Sequence, residues 1–182
     1  SLGDSDPENI QPINIHALLT KARLILQNSM SGNIAFNENY DPSLPRVTGD
    51  EDTLMQALLN LIKNAAESIE VSGKPGKITL ETSFRRGVTR KNSVSGKGHQ
   101  LPIEIRVIDD GPGISGELRS RLFQPFVTNK PAGQGLGLAL VSKVASAHGG
   151  LVEVQSDPGQ TVFSILLPAT LSNETMRQSH EV

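Results

Sequence analysis

The stretch DEDTLMQALLNLIKNAAESI, from Asp50 to Ile69, leaves the chain the fewest choices. It opens on acidic residues and contains neither Gly nor Pro, which predicts a helix of about five turns. At about 3.6 residues per turn, Leu54, Leu58, Leu61, Ile62, Ala65 and Ile69 share one face, so this helix has to lie against a core. The opposite arc carries Gln56, Asn60, Lys63, Asn64 and Glu67. Asn60 and Asn64 are one turn apart, which stacks their amides at the edge of the apolar stripe. Such a pair is either an ordinary surface feature or a holder for a hydrated metal and a phosphate. The helix alone leaves both readings open.

A chain of 182 residues supports one core of ordinary size and requires no second domain. With five Phe, one Tyr and no Trp, that core must be mainly aliphatic. A formal net charge of −2 gives no electrostatic case for nucleic acid or an anionic membrane surface as partner. The absence of Cys removes disulfide and thiolate chemistry and fits a reducing compartment. No apolar run approaches the roughly 18 residues of a membrane span, and no signal-peptide pattern opens the sequence. The expectation is a soluble, cytoplasmic single domain.

In chain order, residues 1–12 are polar with Gly3, Pro7 and Pro12, and read as a linker. From Ile13 to Gln27 the spacing of Ile15, Leu18, Leu19, Ala22, Ile25 and Leu26 is helical, with Asn14 as N-cap and Ser31-Gly32 as the stop. Residues 33–39 alternate as a half-buried strand, and Asp41-Pro42 through Pro45 form a turn. After the long helix, Gly73 to Gly76 turn the chain into a strand over Lys77–Phe84. Residues 85–102, with Arg85, Arg86, Arg90, Lys91 and Lys97 among small polar residues, read as a long solvated hairpin loop. Ile103–Ile108 is a strand, and Glu117–Leu122 a short helical segment. An irregular stretch 123–134 precedes a helix from Gly135 to His148, stopped by Gly149-Gly150. Leu151–Ser156 and Thr161–Leu167 are two strands around Asp157-Pro158-Gly159, and a polar tail runs over 169–182.

Two glycine clusters carry the chemistry. In Asp109-Asp110-Gly111-Pro112-Gly113 a strand-end carboxylate precedes backbone free to turn. Such a carboxylate can accept a hydrogen bond from an exocyclic amine, and the glycines would let a flat ring approach the main chain. An ordinary turn and a metal site are the competing readings. In Gly133-Gln134-Gly135-Leu136-Gly137-Leu138 a glycine run opens directly into a helix, presenting unpaired N–H groups and a positive helix end to an anion. It is neither a Walker loop, for want of a G-x-x-x-x-G-K-[ST] run, nor a Rossmann turn, for want of a preceding strand. A ligand-free glycine hinge is the alternative.

Taken together the motifs are more specific than any one of them. NLIKNA, VIDDGPGI, LFQPFVTNK and GQGLGLAL, in this order and spacing, resemble the N, G1, F and G2 boxes of histidine-kinase catalytic domains. Those domains belong to the GHKL ATPase superfamily of gyrase, MutL and histidine kinases. YDPSLPRVTGD and the lid containing TNK look most like nitrogen-regulation sensor kinases of bacterial two-component systems. The resemblance covers about residues 13–168. It implies a Bergerat-type two-layer α/β sandwich, a mixed sheet with helices on one face, binding ATP and Mg²⁺. By the same resemblance Asn64 binds Mg²⁺ with Asn60 beside it on the phosphate side, and Asp109 receives the adenine amine. Gly111 and Gly113 shape the base pocket, and residues 115–134 form a mobile lid over ATP. Gly133, Gly135 and Gly137, with Leu136 and Leu138 between and after them, wrap the phosphates, and Lys130 reaches the γ-phosphate. Thr161 falls where the family pattern G-T-x-F has its Thr near the base, although Gln160 replaces the usual Gly.

The implied reaction is phosphoryl transfer to a protein histidine. Hydrolytic members of the superfamily carry a Glu where this chain has Asn60, and an amide cannot accept a proton at neutral pH. Glu67 begins about 10 Å further along the helix axis. A phosphoacceptor motif is not found: His16, His99, His148 and His180 each sit in contexts that read as structural or solvated. The expected arrangement is therefore an ATP-binding fragment whose partners are a separate dimerisation and phosphoacceptor domain of the same kinase and a response-regulator receiver domain. The full-length protein is expected to be a homodimer. A MutL- or gyrase-type ATPase, a nucleotide-gated binding module and an anti-sigma-type serine kinase are the alternatives.

Overall fold

A computed structural model describes residues 7–85, 89–91, 98–122 and 136–169. Its centre is the expected long helix, here α2 (Glu51–Ser72). The Asp50 carboxylate caps it, accepting from the N–H groups of Asp52 at 3.0 Å and Thr53 at 3.1 Å. Glu51 and Asp52 add negative charge in the first turn, where it opposes the helix dipole favourably. With no breaker after Ile69, the helix continues to Ser72 and stops at Gly73, whose φ of 67° is the left-handed value glycine tolerates best.

Before α2 come β1 (Ile10–Ile13), α1 (Ile15–Gln27), β2 (Ile34–Asn39) and β3 (Val47–Asp50). After it come β4 (Gly76–Phe84), the short strands β5 (Thr89–Lys91) and β6 (Gly98–Gln100), and β7 (Ile103–Asp109). The chain ends with α3 (Gly116–Arg119), α4 (Leu136–Ala147), β8 (Leu151–Asp157) and β9 (Gln160–Leu167). The main sheet has the order β2-β4-β7-β9-β8. It is mixed, since β2 runs parallel to β4 while every other neighbouring pair is antiparallel.

One face of that sheet is the core. Ile78 and Leu80 on β4, Ile103, Ile105 and Val107 on β7, and Phe163, Ile165 and Leu167 on β9 are all buried, each on alternate positions of its strand. They meet Leu54, Leu58, Leu61, Ile62, Ala65 and Ile69 of α2, the residues the helical period selects. Leu18, Leu19 and Ala22 of α1 and Val141, Val144 and Ala145 of α4 complete the cluster from either side of α2. The opposite face carries ions, with Arg106 Nη1 donating to Glu81 Oε2 at 2.9 Å and Glu104 nearby. The result is the two-layer α/β sandwich with helices on one face. Among the described residues no helix is long and apolar enough to cross a membrane.

The structure departs from expectation near the start. Residues 10–12, assigned to a linker, belong to β1, which pairs antiparallel with β3, itself unforeseen. The Asp50 carboxylate also accepts from Glu8 N at 2.8 Å and Asn9 N at 3.0 Å, so the same side chain caps α2 and anchors the incoming chain. Helix α1 ends at Gln27 with Asn28 as C-cap, ahead of the expected Ser31-Gly32 stop, while Asn14 caps its start as predicted. The expected hairpin in 85–102 pairs at its described part, Thr89–Lys91 against Gly98–Gln100. The expected irregular segment 123–134 and all but the first residue of the expected tail 169–182 lie outside the described residues.

Candidate functional site

Strand register builds one half of the site. Across the end of the sheet, Ile78 on β4 is opposite Asp109 on β7, Asp109 is opposite Thr161 on β9, and Thr161 is opposite Ser156 on β8. Residues directly opposite each other point to the same face, so these four form one row on the helix side of the sheet. Asp109 is 1% exposed and Thr161 2% exposed.

Burying a carboxylate requires hydrogen-bond donors around it. Asp109 Oδ1 accepts from Gly111 N at 3.0 Å. A carboxylate can accept from several donors at once. A side chain at position 111 would close the space: a Cβ there would lie 2.4 Å from Ser68 Oγ and 2.8 Å from Asp109 Oδ1. Gly113 has φ +88°, and a Cβ on it would lie 2.6 Å from the carbonyl oxygen of Asp157. Both glycines are therefore required by the path of the backbone past Asp109.

Within this row Thr161 is joined to Ser156, a residue that sequence reasoning did not single out. Ser156 Oγ accepts from Ile114 N at 2.8 Å and is 2.9 Å from Thr161 Oγ1. Arg119 of α3 donates to the Ser156 carbonyl oxygen, tying the segment after Gly113 to the end of β8. The signal for Ser156 was available in Pro158-Gly159, because a hairpin turn there sets Asp157 opposite Gln160 and Ser156 opposite Thr161.

The other half of the site lies where α2 meets the beginning of α4. A Cβ on Gly137 would be 3.4 Å from Asn60 Oδ1, so the second residue of α4 passes directly over that amide. Asn60 and Asn64 are both half-buried on α2. The N-terminal end of a helix carries partial positive charge and N–H groups with no partner inside the helix. The structure thus brings two amides and a positive helix end to one edge of α2. Leu138 is partly buried and packs on the core, and Leu136 is the first residue of α4. Lys130, Gly133 and Gly135 lie outside the described residues, as does the lid from 123 onward. Among the described residues no group of three or more His, Cys, Asp or Glu side chains converges as a metal site.

Two histidines are taken up by the fold. His148 is buried, with Nδ1 donating to the Val144 carbonyl at 2.8 Å and Nε2 accepting from Asp50 N at 3.0 Å. The His16 ring stacks on Tyr40, with centroids 4.8 Å apart, and its Nε2 is 2.8 Å from Thr82 Oγ1. Burial holds the His16 pKa below its ordinary value, partly opposed by the nearby Asp41 carboxylate. The rings of His99 and His180 are outside the described residues.

Known proteins resemble this chain in sequence and in fold. The sensory histidine kinase/phosphatase NtrB of Azospirillum brasilense is 46% identical over 165 residues, spanning 91% of this chain and 41% of that protein. The crystal structure of full-length ShkA in complex with AMPPNP superposes with a TM-score of 0.74 at 29% identity, over 94% of this chain and 34% of that one. The complex of histidine kinase ThkA with response regulator protein TrrA gives a TM-score of 0.66 at 26% identity, over 88% of this chain and 42% of that one. The chain spans less than half the length of the curated relatives it matches first. Residues 49–171, which hold the Asp109 row and the α2–α4 edge, match the family described as histidine kinase-, DNA gyrase B- and HSP90-like ATPase, and the chain belongs to that family.

Proposed function

We propose that this chain is the ATP-binding catalytic part of a protein histidine kinase of nitrogen-regulation type. It would transfer the γ-phosphoryl group of Mg-ATP to a histidine on a separate dimerisation and phosphoacceptor domain. The observation that carries this reading is Asp109, a buried strand-end carboxylate past which two glycines bring the backbone closely. That combination suits a flat heterocycle with an exocyclic amine better than it suits a metal, given the single carboxylate. The NtrB likeness supports the kinase class, and the AMPPNP complex of ShkA supports an adenine nucleotide as the ligand.

In this reading Asp109 and Thr161 receive the base, while Gly111 and Gly113 shape its pocket. Asn60, Gly137 and the start of α4 face the phosphates, joined by Lys130, Gly133, Gly135, Leu136 and Leu138. Asn64 would hold Mg²⁺ through its side-chain oxygen. That ion would offset phosphate charge when bound. The work of the chain is positioning and charge stabilisation, because phosphoryl transfer asks little covalent chemistry of the protein. Water activation is not provided at Asn60, since an amide is no base. The engagement of His16 and His148 in the fold supports an acceptor histidine elsewhere in the whole protein. A response-regulator receiver domain is the proposed next partner, by analogy with the ThkA complex.

The test has two stages. Mg-ATP at a hundred times its dissociation constant should stabilise the fold by about 2.7 kcal/mol, raising the melting temperature by roughly 5–10 °C. Labelled ATP should leave this chain unlabelled but yield an acid-labile, base-stable phosphohistidine on an added NtrB-type phosphoacceptor domain. Absence of a melting shift, or stable label on His16 or His148, would overturn the reading.

A further inference from the structure

We propose that residues 8–13 form a releasable strap, latched by Asp50, whose seating is coupled to nucleotide binding through α2 and α4. This rests on the nucleotide reading above and adds to it a route by which the incoming chain is felt at the site. The two oxygens of the Asp50 carboxylate serve different segments. Oδ2 accepts from Glu8 N at 2.8 Å and Asn9 N at 3.0 Å, while Oδ1 accepts from Asp52 N and Thr53 N at the start of α2. Every one of these donors is a backbone N–H, so the direction of each bond is fixed. The Asp50 N–H in turn donates to His148 Nε2 at the end of α4. One buried residue therefore holds the strap, the helix that carries Asn60 and Asn64, and the helix whose second residue passes over Asn60.

The rest of the strap is lightly held. β1 pairs with β3 in a two-stranded ribbon outside the main sheet, and such a ribbon is marginal on its own. Pro12, opposite Thr48, has no N–H to give to that ladder. Ile10 is exposed, which leaves Ile13 as the buried apolar anchor of the strand. A segment with few buried contacts, its side-chain hold concentrated on one carboxylate, opens locally at low cost. When it opens, Oδ2 loses both donors and the Asp50 side chain is free to turn, so the cap of α2 and the bond to His148 are less firmly placed. A nucleotide that needs Asn60, Asn64 and the start of α4 together must then order them itself, and it binds the open form less tightly. By linkage, bound nucleotide keeps the strap seated by the same factor.

Hydrogen exchange of the whole chain, read at the Glu8 and Asn9 amides by NMR with and without Mg-ADP, tests the coupling. Those amides should exchange much faster than amides in the interior of α2, and saturating Mg-ADP should slow them about fivefold or more. Asp50→Asn has one acceptor oxygen for both sets of donors; as an N-cap it keeps the helix bonds and leaves the strap amides unpaired. It should speed strap exchange and weaken Mg-ADP binding by about fivefold at temperatures where the variant is fully folded. If Asp50→Asn does not fold, Ile13→Ala loosens the strap from its other end with Asp50 intact and should act in the same direction. Wild-type affinity in a variant whose strap amides exchange faster would mean that the strap is an attachment only, and would overturn the proposal. Strap amides that exchange at the rate of the α2 interior, or that Mg-ADP does not slow, would overturn it alone. Failure of the wild type to bind Mg-ADP would overturn it together with the nucleotide reading.

Discussion

The backbone N–H of Asp50 donates to Nε2 of His148 at 3.0 Å, joining the start of α2 to the far end of α4 across 98 residues of sequence. Because Nε2 accepts that N–H, the ring proton sits on Nδ1, which donates to the Val144 carbonyl at 2.8 Å. One buried ring thus joins the start of α2 to the end of α4.

His148→Ala should destabilise the domain by about 2–4 kcal/mol, since it leaves a buried N–H unpaired and removes packing. Gly49 lies against the same ring, where a Cβ would come within 2.4 Å of His148 Cδ2. Gly49→Ala should therefore be costly in the wild type and nearly neutral in the His148→Ala background. Urea unfolding of the double-mutant cycle measures the coupling. Additive costs would show that the ring is not what position 49 meets.

Asp50 should govern the acid limb of stability. Hydrogen bonds from the backbone of Asn9, and then from Thr53, Glu8 and Asp52, hold its carboxyl down to about 2 against the opposing effect of burial. A carboxyl depressed in the folded state contributes stability that is present above its unfolded value near pH 4 and is lost as the pH falls towards 2. Asp50→Asn should lower stability by about 1 kcal/mol at neutral pH, and the two proteins should converge as the pH approaches 2. Denaturant curves recorded across that range check both statements.

Gly113→Ala should cost about 1–3 kcal/mol, because the residue has positive φ and its Cβ would meet the Asp157 carbonyl. Gly116→Ala is the control. Gly116 begins α3, nothing lies within 4 Å of a Cβ there, and the change should be neutral or slightly stabilising. Thermal melting of the pair distinguishes backbone strain from a general sensitivity of the segment.

Asp109→Asn should weaken adenine-nucleotide binding by about tenfold or more, because an amide can present a donor where the base also has one. Asn64→Ala should act differently. It should reduce the Mg²⁺-dependent part of ATP binding and leave metal-free ADP binding within about twofold. Titrations with and without Mg²⁺ separate the two, and equal losses in both conditions for Asn64→Ala would remove it from the metal.

What could be read directly from the sequence were features with a local cause. The apolar stripe of α2, its acidic start and the cap Asn14 are repeated by the structure because helix periodicity and capping act within a few residues. The same holds for the strand before Asp109, whose alternation matches its buried and half-buried positions. The order of the boxes was legible too, and it led to the family that residues 49–171 match.

Tertiary structure alone decided which of these local features meet. Residues 10–12 carry no strand period of their own, and only pairing with β3 and the Asp50 carboxylate orders them. Ser156 became part of the Asp109 row through the register of four strands, and His148 became the partner of Asp50 through the packing of α4 on α2. Such contacts join residues tens of positions apart, and no period or spacing in the sequence encodes them. They form because burying polar groups leaves each donor to find an acceptor, wherever in the chain the fold has brought one.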